Sequence, residues 1–179
     1  SVAAGQTVNL PVTLTDSDGF IWDIMTNGQI SNGSIDAYDG GHRLAGFGGI
    51  STAPTEEAGR EIVIGPYTIG LVEVIRKVYV PSGQSFCRFL EIVRNPSVAP
   101  VSFTVEIDTN LGSDGSTVIV SSSSGDATLS ALDNWVVTDD SPDTGDPAVA
   151  HVASGPGGAM RPVGFTSDGG ADTQYRYDL

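Results

Sequence analysis

The chain has 179 residues and a net charge of −14, with 22 acidic residues against eight basic ones. An acidic surface of that strength repels phosphate backbones and anionic headgroups, which argues against nucleic-acid binding and electrostatic membrane docking. At 39% hydrophobic and 17% charged, the composition is too apolar for a disordered chain, and the length suits one ordinary domain.

The periodic segments repeat every two residues, as strands do. In the first, Val8, Leu10, Val12 and Leu14 alternate with Asn9 and Thr13, and Pro11 among them is tolerated mainly at a sheet edge. Residues 20–24 follow, then residues 53–60, predicted as one short helical turn, then residues 62–69. Residues 71–80 form a longer β-branched run that puts Val72, Val74, Val78 and Val80 on one face. Residues 86–93 hold the single cysteine, Cys87, which reads as a small core residue and leaves no internal disulfide. The most regular alternation sets Val101, Phe103, Val105 and Ile107 against Ser102, Thr104 and Glu106. Residues 117–121, 134–138, 148–153 and 174–179 complete the strands. Turn phrases such as Asp16-Ser-Asp-Gly19 and Thr26-Asn-Gly28 lie between segments. No stripe of helical spacing runs ten residues, and no run of eighteen apolar residues suggests a membrane-spanning helix. The pattern predicts an all-β fold, an antiparallel two-sheet β-sandwich of jelly-roll or immunoglobulin-like size.

Both ends suggest assembly. Gln174-Tyr-Arg-Tyr-Asp-Leu179 alternates to its last residue, and Ser1-Val-Ala-Ala-Gly5 reads like the turn that follows such a strand. The expectation is either a unit of a tandem array or subunits joined head to tail by strand addition. Residues 1–15 would be the donor-type strand and residues 16–179 the sandwich. Val2, Val8, Leu10, Val12 and Leu14 would be the partner-binding side chains. The simpler alternative pairs this strand within its own sheet, because strand pattern specifies a face and not a partner.

Calcium is the cofactor the acids suggest. Asp139-Asp-Ser-Pro-Asp-Thr-Gly-Asp146 places Asp139, Asp140, Asp143 and Asp146 in one turn-like phrase, and calcium takes hard oxygen ligands. Asp16 with Asp18, and Asp36 with Asp39, are smaller candidates, while aspartates also cap turns through their own backbone. His42 and His151 are the only side chains whose ordinary titration lies near neutrality, and neither sits in a recognisable catalytic phrase. Trp22, Trp135 and Tyr38 offer a sugar-stacking platform or, more simply, core aromatics.

Several phrases together resemble a sandwich module of very large secreted and cell-surface bacterial proteins. They include Phe20-Ile-Trp-Asp-Ile24, Asp36-Ala-Tyr-Asp-Gly-Gly41, Arg76-Lys-Val-Tyr-Val-Pro81, Arg88-Phe-Leu-Glu91 and Trp135-Val-Val-Thr-Asp-Asp140. The Arg76 and Arg88 phrases are also similar to sandwich domains that accompany carbohydrate-active enzymes. In the modules resembled, a final strand follows the Tyr-x-Tyr segment, whereas here residues 2–14 stand in front. The expected function is therefore a non-enzymatic structural subunit, extracellular or at the cell surface, whose partners are copies of itself. The alternative is a carbohydrate-binding module of a larger secreted enzyme or adhesin.

Overall fold

The computed structural model describes residues 5–142, 145–155, 157–167 and 172–179. The chain is nearly all β, as its two-residue periodicity predicts, and the strands pair antiparallel throughout. They form two compact units where the length suggested one: Ser1–Gly33 with Gly46–Val101, and Ser34–Ala45 with Ser102–Leu179.

In chain order the first unit contains β1 (Thr7–Asn9), β2 (Val12–Thr15) and β3 (Ile21–Ile24); β4 (Arg43–Leu44) belongs to the second. The first unit resumes with β5 (Thr52–Glu56), β6 (Glu61–Ile69), β7 (Val72–Tyr79) and β8 (Arg88–Arg94). A five-stranded sheet runs in the order β1-β5-β6-β7-β8, and β2 pairs with β3. Val72, Val74, Val78 and Val80 are all buried, which is the face that the sequence pattern marks out. Strand periodicity turns those side chains to one side, where Ile62 and Ile64 of β6 are buried as well.

Two sequence expectations change here. Residues 53–60 are not mainly helical: β5 takes the first part, and a single 3-10 turn (Glu57–Gly59) follows. Ala53 and Thr55 point inward as an alternating pair, and Pro54 is accommodated in a strand whose partner β1 is only three residues long. The N-terminal segment is not a free donor. β1 pairs with β5 through Thr7↔Pro54, Val8↔Ala53 and Asn9↔Thr52, and β2 pairs with β3 through Leu14↔Trp22. Val8, Leu10 and Leu14 are each 8% exposed and Val12 is half-buried, so these side chains complete the core of their own unit. Val2 lies outside the described residues.

The second unit continues with β9 (Thr104–Asn110), β10 (Thr117–Ser122), β11 (Trp135–Asp140), β12 (Val149–Val152), β13 (Gly164–Ser167) and β14 (Asp172–Asp178). Its four-stranded sheet has the order β13-β14-β9-β4 and its three-stranded sheet the order β10-β11-β12. Val105 and Ile107 point inward from β9 with the expected parity, opposite Tyr177 and Tyr175 of β14. Val136, Thr138 and Asp140 form the buried side of β11.

Candidate functional site: the β8 edge and its charged support

β8 ends the five-stranded sheet, and no strand among the described residues pairs with its far side. Such an edge presents unpaired N–H and C=O groups that template a further strand. Register places Ile92 opposite Ile75 and Leu90 opposite Lys77. Leu90 and Ile92 face outward, 44% and 39% exposed, between Arg88 and Arg94 at the strand's two ends.

Both arginines are engaged by their own sheet. Arg88 donates to Glu61 at 2.8 Å, and its guanidinium lies 4.8 Å from the ring centre of Tyr79. Arg94 donates to Glu73 at 2.9 Å. Lys77 donates to Glu56 at 2.5 Å and lies 3.6 Å from Glu61, so a ladder of alternating charge crosses β5 to β8. The hydrogen bond from Lys77 holds the Glu56 carboxyl below its ordinary range and the Lys77 amine above its own.

The inner side of the same strand pair carries a feature that sequence reading missed. Arg76 occupies a core-facing position of β7, directly opposite Glu91 of β8. Arg76 is 0% exposed, its Nε stands 3.2 Å from Glu91 Oε1, and its guanidinium lies 4.9 Å from the Phe89 ring centre. Burial raises the Glu91 carboxyl while the Arg76 charge opposes that rise. Gly28, with φ +77°, makes room for this arginine: a Cβ there would come within 3.0 Å of Arg76 Cδ and of Ile64 Cδ1. The available signal was an arginine and a glutamate at inward positions of adjacent strands.

Cys87 is a free, half-buried thiol just before β8, and burial pushes its ionisation up, away from reactivity. The aromatics suggested as a platform are divided between the two units. Trp22 belongs to the first unit and donates Nε1 to Asp16 at 3.0 Å, while Trp135 and buried Tyr38 belong to the second. A different aromatic pair borders β8: Tyr79 and Phe86, with ring centres 6.3 Å apart.

Asp139 and Asp140 end β11 on opposite sides, because neighbours in a strand face opposite ways. Asp143 lies outside the described residues. Burial raises the Asp146 carboxyl, and the negative charges of Asp140, Asp36 and Asp114 raise it further. Asp16 accepts hydrogen bonds from the Asp18 and Phe20 amides and from Trp22, the role of a turn-capping aspartate. Among the described residues, no three His, Cys, Asp or Glu side chains stand close enough to hold a metal ion. His42 and His151 come together in the second unit, with ring centres 5.9 Å apart. Among the described residues, no helix is long and apolar enough to cross a membrane. Comparison with known proteins finds no family model, curated protein or solved structure that matches this chain.

Proposed function

We propose that this chain is a non-enzymatic β-sandwich structural module, extracellular or at a cell surface, that joins copies of itself by strand addition at β8. The observation that carries this reading is the open β8 edge with Leu90 and Ile92 exposed at its centre. Its sequence, Arg88-Phe-Leu-Glu-Ile-Val-Arg94, has nearly the same character read in either direction about Glu91. An antiparallel second copy therefore sets Leu90 against the second copy's Ile92, and Phe89 against the second copy's Val93. Apolar cross-strand pairs of this kind stabilise a sheet, and main-chain hydrogen bonds supply the remaining affinity. The like-charged ends are tolerable because Arg88 and Arg94 each hold a glutamate of their own chain. This contact replaces exchange of residues 7–15 as the mode of joining, since those strands are paired within their own unit. Calcium carries no step of the proposal.

The test is light scattering coupled to size exclusion, for the wild type and for Leu90→Lys/Ile92→Lys. The wild type is expected to associate as concentration rises, and more strongly in salt, which screens repulsion between copies of charge −14. The variant should stay monomeric with unchanged circular dichroism. A wild type that remains monomeric at high concentration and in salt contradicts the proposal.

A second reading is carbohydrate binding, favoured by Tyr79 and by Phe86, which is exposed beside it. It requires retention on a polysaccharide column that Phe86→Ala abolishes.

A further inference from the structure

We propose that the stacked His42–His151 pair is an acid-sensitive latch, which keeps β12 in place while the His151 ring is neutral and releases it when His151 takes a proton. The idea does not depend on assembly at β8 and belongs to the second unit alone.

His151 lies inside β12, opposite Val136 of β11. It is 2% exposed, and neither ring nitrogen has a hydrogen-bond partner. A neutral imidazole tolerates this burial far better than an imidazolium, which needs an acceptor at both nitrogens. His42 stacks on it with the ring planes 22° apart. The position of His42 is fixed by a left-handed backbone at φ +55° and by its amide, which donates to Thr109 Oγ1 at 3.0 Å. The Tyr175 hydroxyl stands 2.9 Å and 3.1 Å from the two His42 nitrogens, and Tyr38 meets His151 edge-on at 6.5 Å.

Among the described residues, no carboxylate acts on His151, whose ionisation is shifted by burial alone. The groups that face it are Tyr38 and His42, both from the segment before β4, while Thr109 of β9 and Tyr175 of β14 contact His42. On β11, Asp140 shares the inward side of Val136 but stands four residues further on, about 13 Å along the strand. Arg43 and Asp108 pair with each other at 2.7 Å. A proton on His151 would thus face the His42 ring with no counter-charge among the described residues. Burial accordingly lowers the ionisation of His151 from 6.5 to about 4. β12 is also the element best placed to move, being four residues long and at the edge of a three-stranded sheet.

Protonation couples to opening because the open form binds the proton at the ordinary histidine value. The open population should therefore rise about tenfold for each pH unit below 6.5, flattening near 4. The experiment is amide hydrogen exchange across β12 from pH 7.5 to 4.5, corrected for intrinsic rates, in the wild type and in His151→Phe. Loss of β12 protection on that slope in the wild type, and a flat response in the variant, is the expected result. The same slope in both proteins overturns the latch. Should His151→Phe fail to fold, NMR titration of the wild-type His151 ring decides: a midpoint well under 6.5 in the folded state supports the latch, and one near 6.5 overturns it.

Discussion

Glu91→Gln should be among the most damaging conservative substitutions in the first unit. Arg76 is 0% exposed and its guanidinium cannot shed its charge, so the glutamate 3.2 Å away is its compensation. Removing one partner of a buried ion pair typically costs about 3–5 kcal/mol. Arg76→Met should cost less, because the orphaned Glu91 carboxyl can take up a proton. Burial already raises that carboxyl, so the folded state binds its proton more tightly than the unfolded state does. The Glu91 contribution is therefore present below the unfolded value of 4.5 and is lost as pH rises through the folded value. The penalty of Arg76→Met is then largest at neutral pH and shrinks in acid. Replacing both partners, as Arg76→Met/Glu91→Leu, should bring stability back to within about 1 kcal/mol of the wild type. Urea unfolding measures this through Trp22, the first unit's tryptophan, in a Trp135→Phe background. A Glu91→Gln cost under about 1 kcal/mol, or a double variant as damaged as the sum of the singles, would refute the reasoning.

Leu10→Asp should unfold or severely weaken the first unit, by about 3 kcal/mol or more, because Leu10 is buried in its own core. A normally folded Leu10→Asp protein that had lost only self-association would restore the donor-strand reading. Asp133, 0% exposed, accepts hydrogen bonds from the Ser124 and Ser130 amides and from the Ser130 and Ser123 hydroxyls. Burial works to raise its carboxyl, but the hydrogen bonds prevail and hold it below the usual range. Asp133→Ala should cost about 2–3 kcal/mol in urea unfolding followed at Trp135, with Asp133→Asn recovering part of that. Between pH 6.5 and about 4, depressed ionisation of His151 should withdraw about 3 kcal/mol from the second unit. The loss runs with falling pH because the unfolded chain binds the proton first, and denaturation of His151→Phe should lack that component.

Local periodicity carried much of the fold. The inward valines of β7 and the parity of β9 can both be read from the alternation of residue types, because a strand turns successive side chains to opposite sides. β5 escaped notice because Pro54 and a cluster of acids interrupt its short inward pair, Ala53 and Thr55. The two units were invisible for a different reason. The chain leaves the first at Gly33 and returns at Gly46, so neither unit corresponds to a contiguous stretch of composition. The same limit applies to function. The apolar run at residues 86–93 was visible, but its position at a sheet edge is a property of topology. His42, just before β4, and His151 of β12 are distant in sequence and belong with different sheets, so only packing within the second unit brings their rings together. The charge of Arg76 was legible as an exception within the β7 face, and its register with Glu91 was not.

The central claim is that β8 is where copies meet, and amide exchange of residues 88–94 as a function of protein concentration tests it most directly. Strand addition there predicts protection that climbs with concentration at the alternate β8 amides that point away from β7, while the β8 amides bonded to β7 and the paired amides of β6 and β7 stay constant. Exchange at those outward β8 amides that remains fast and independent of concentration, under conditions where the protein associates, would place the contact elsewhere and contradict the account.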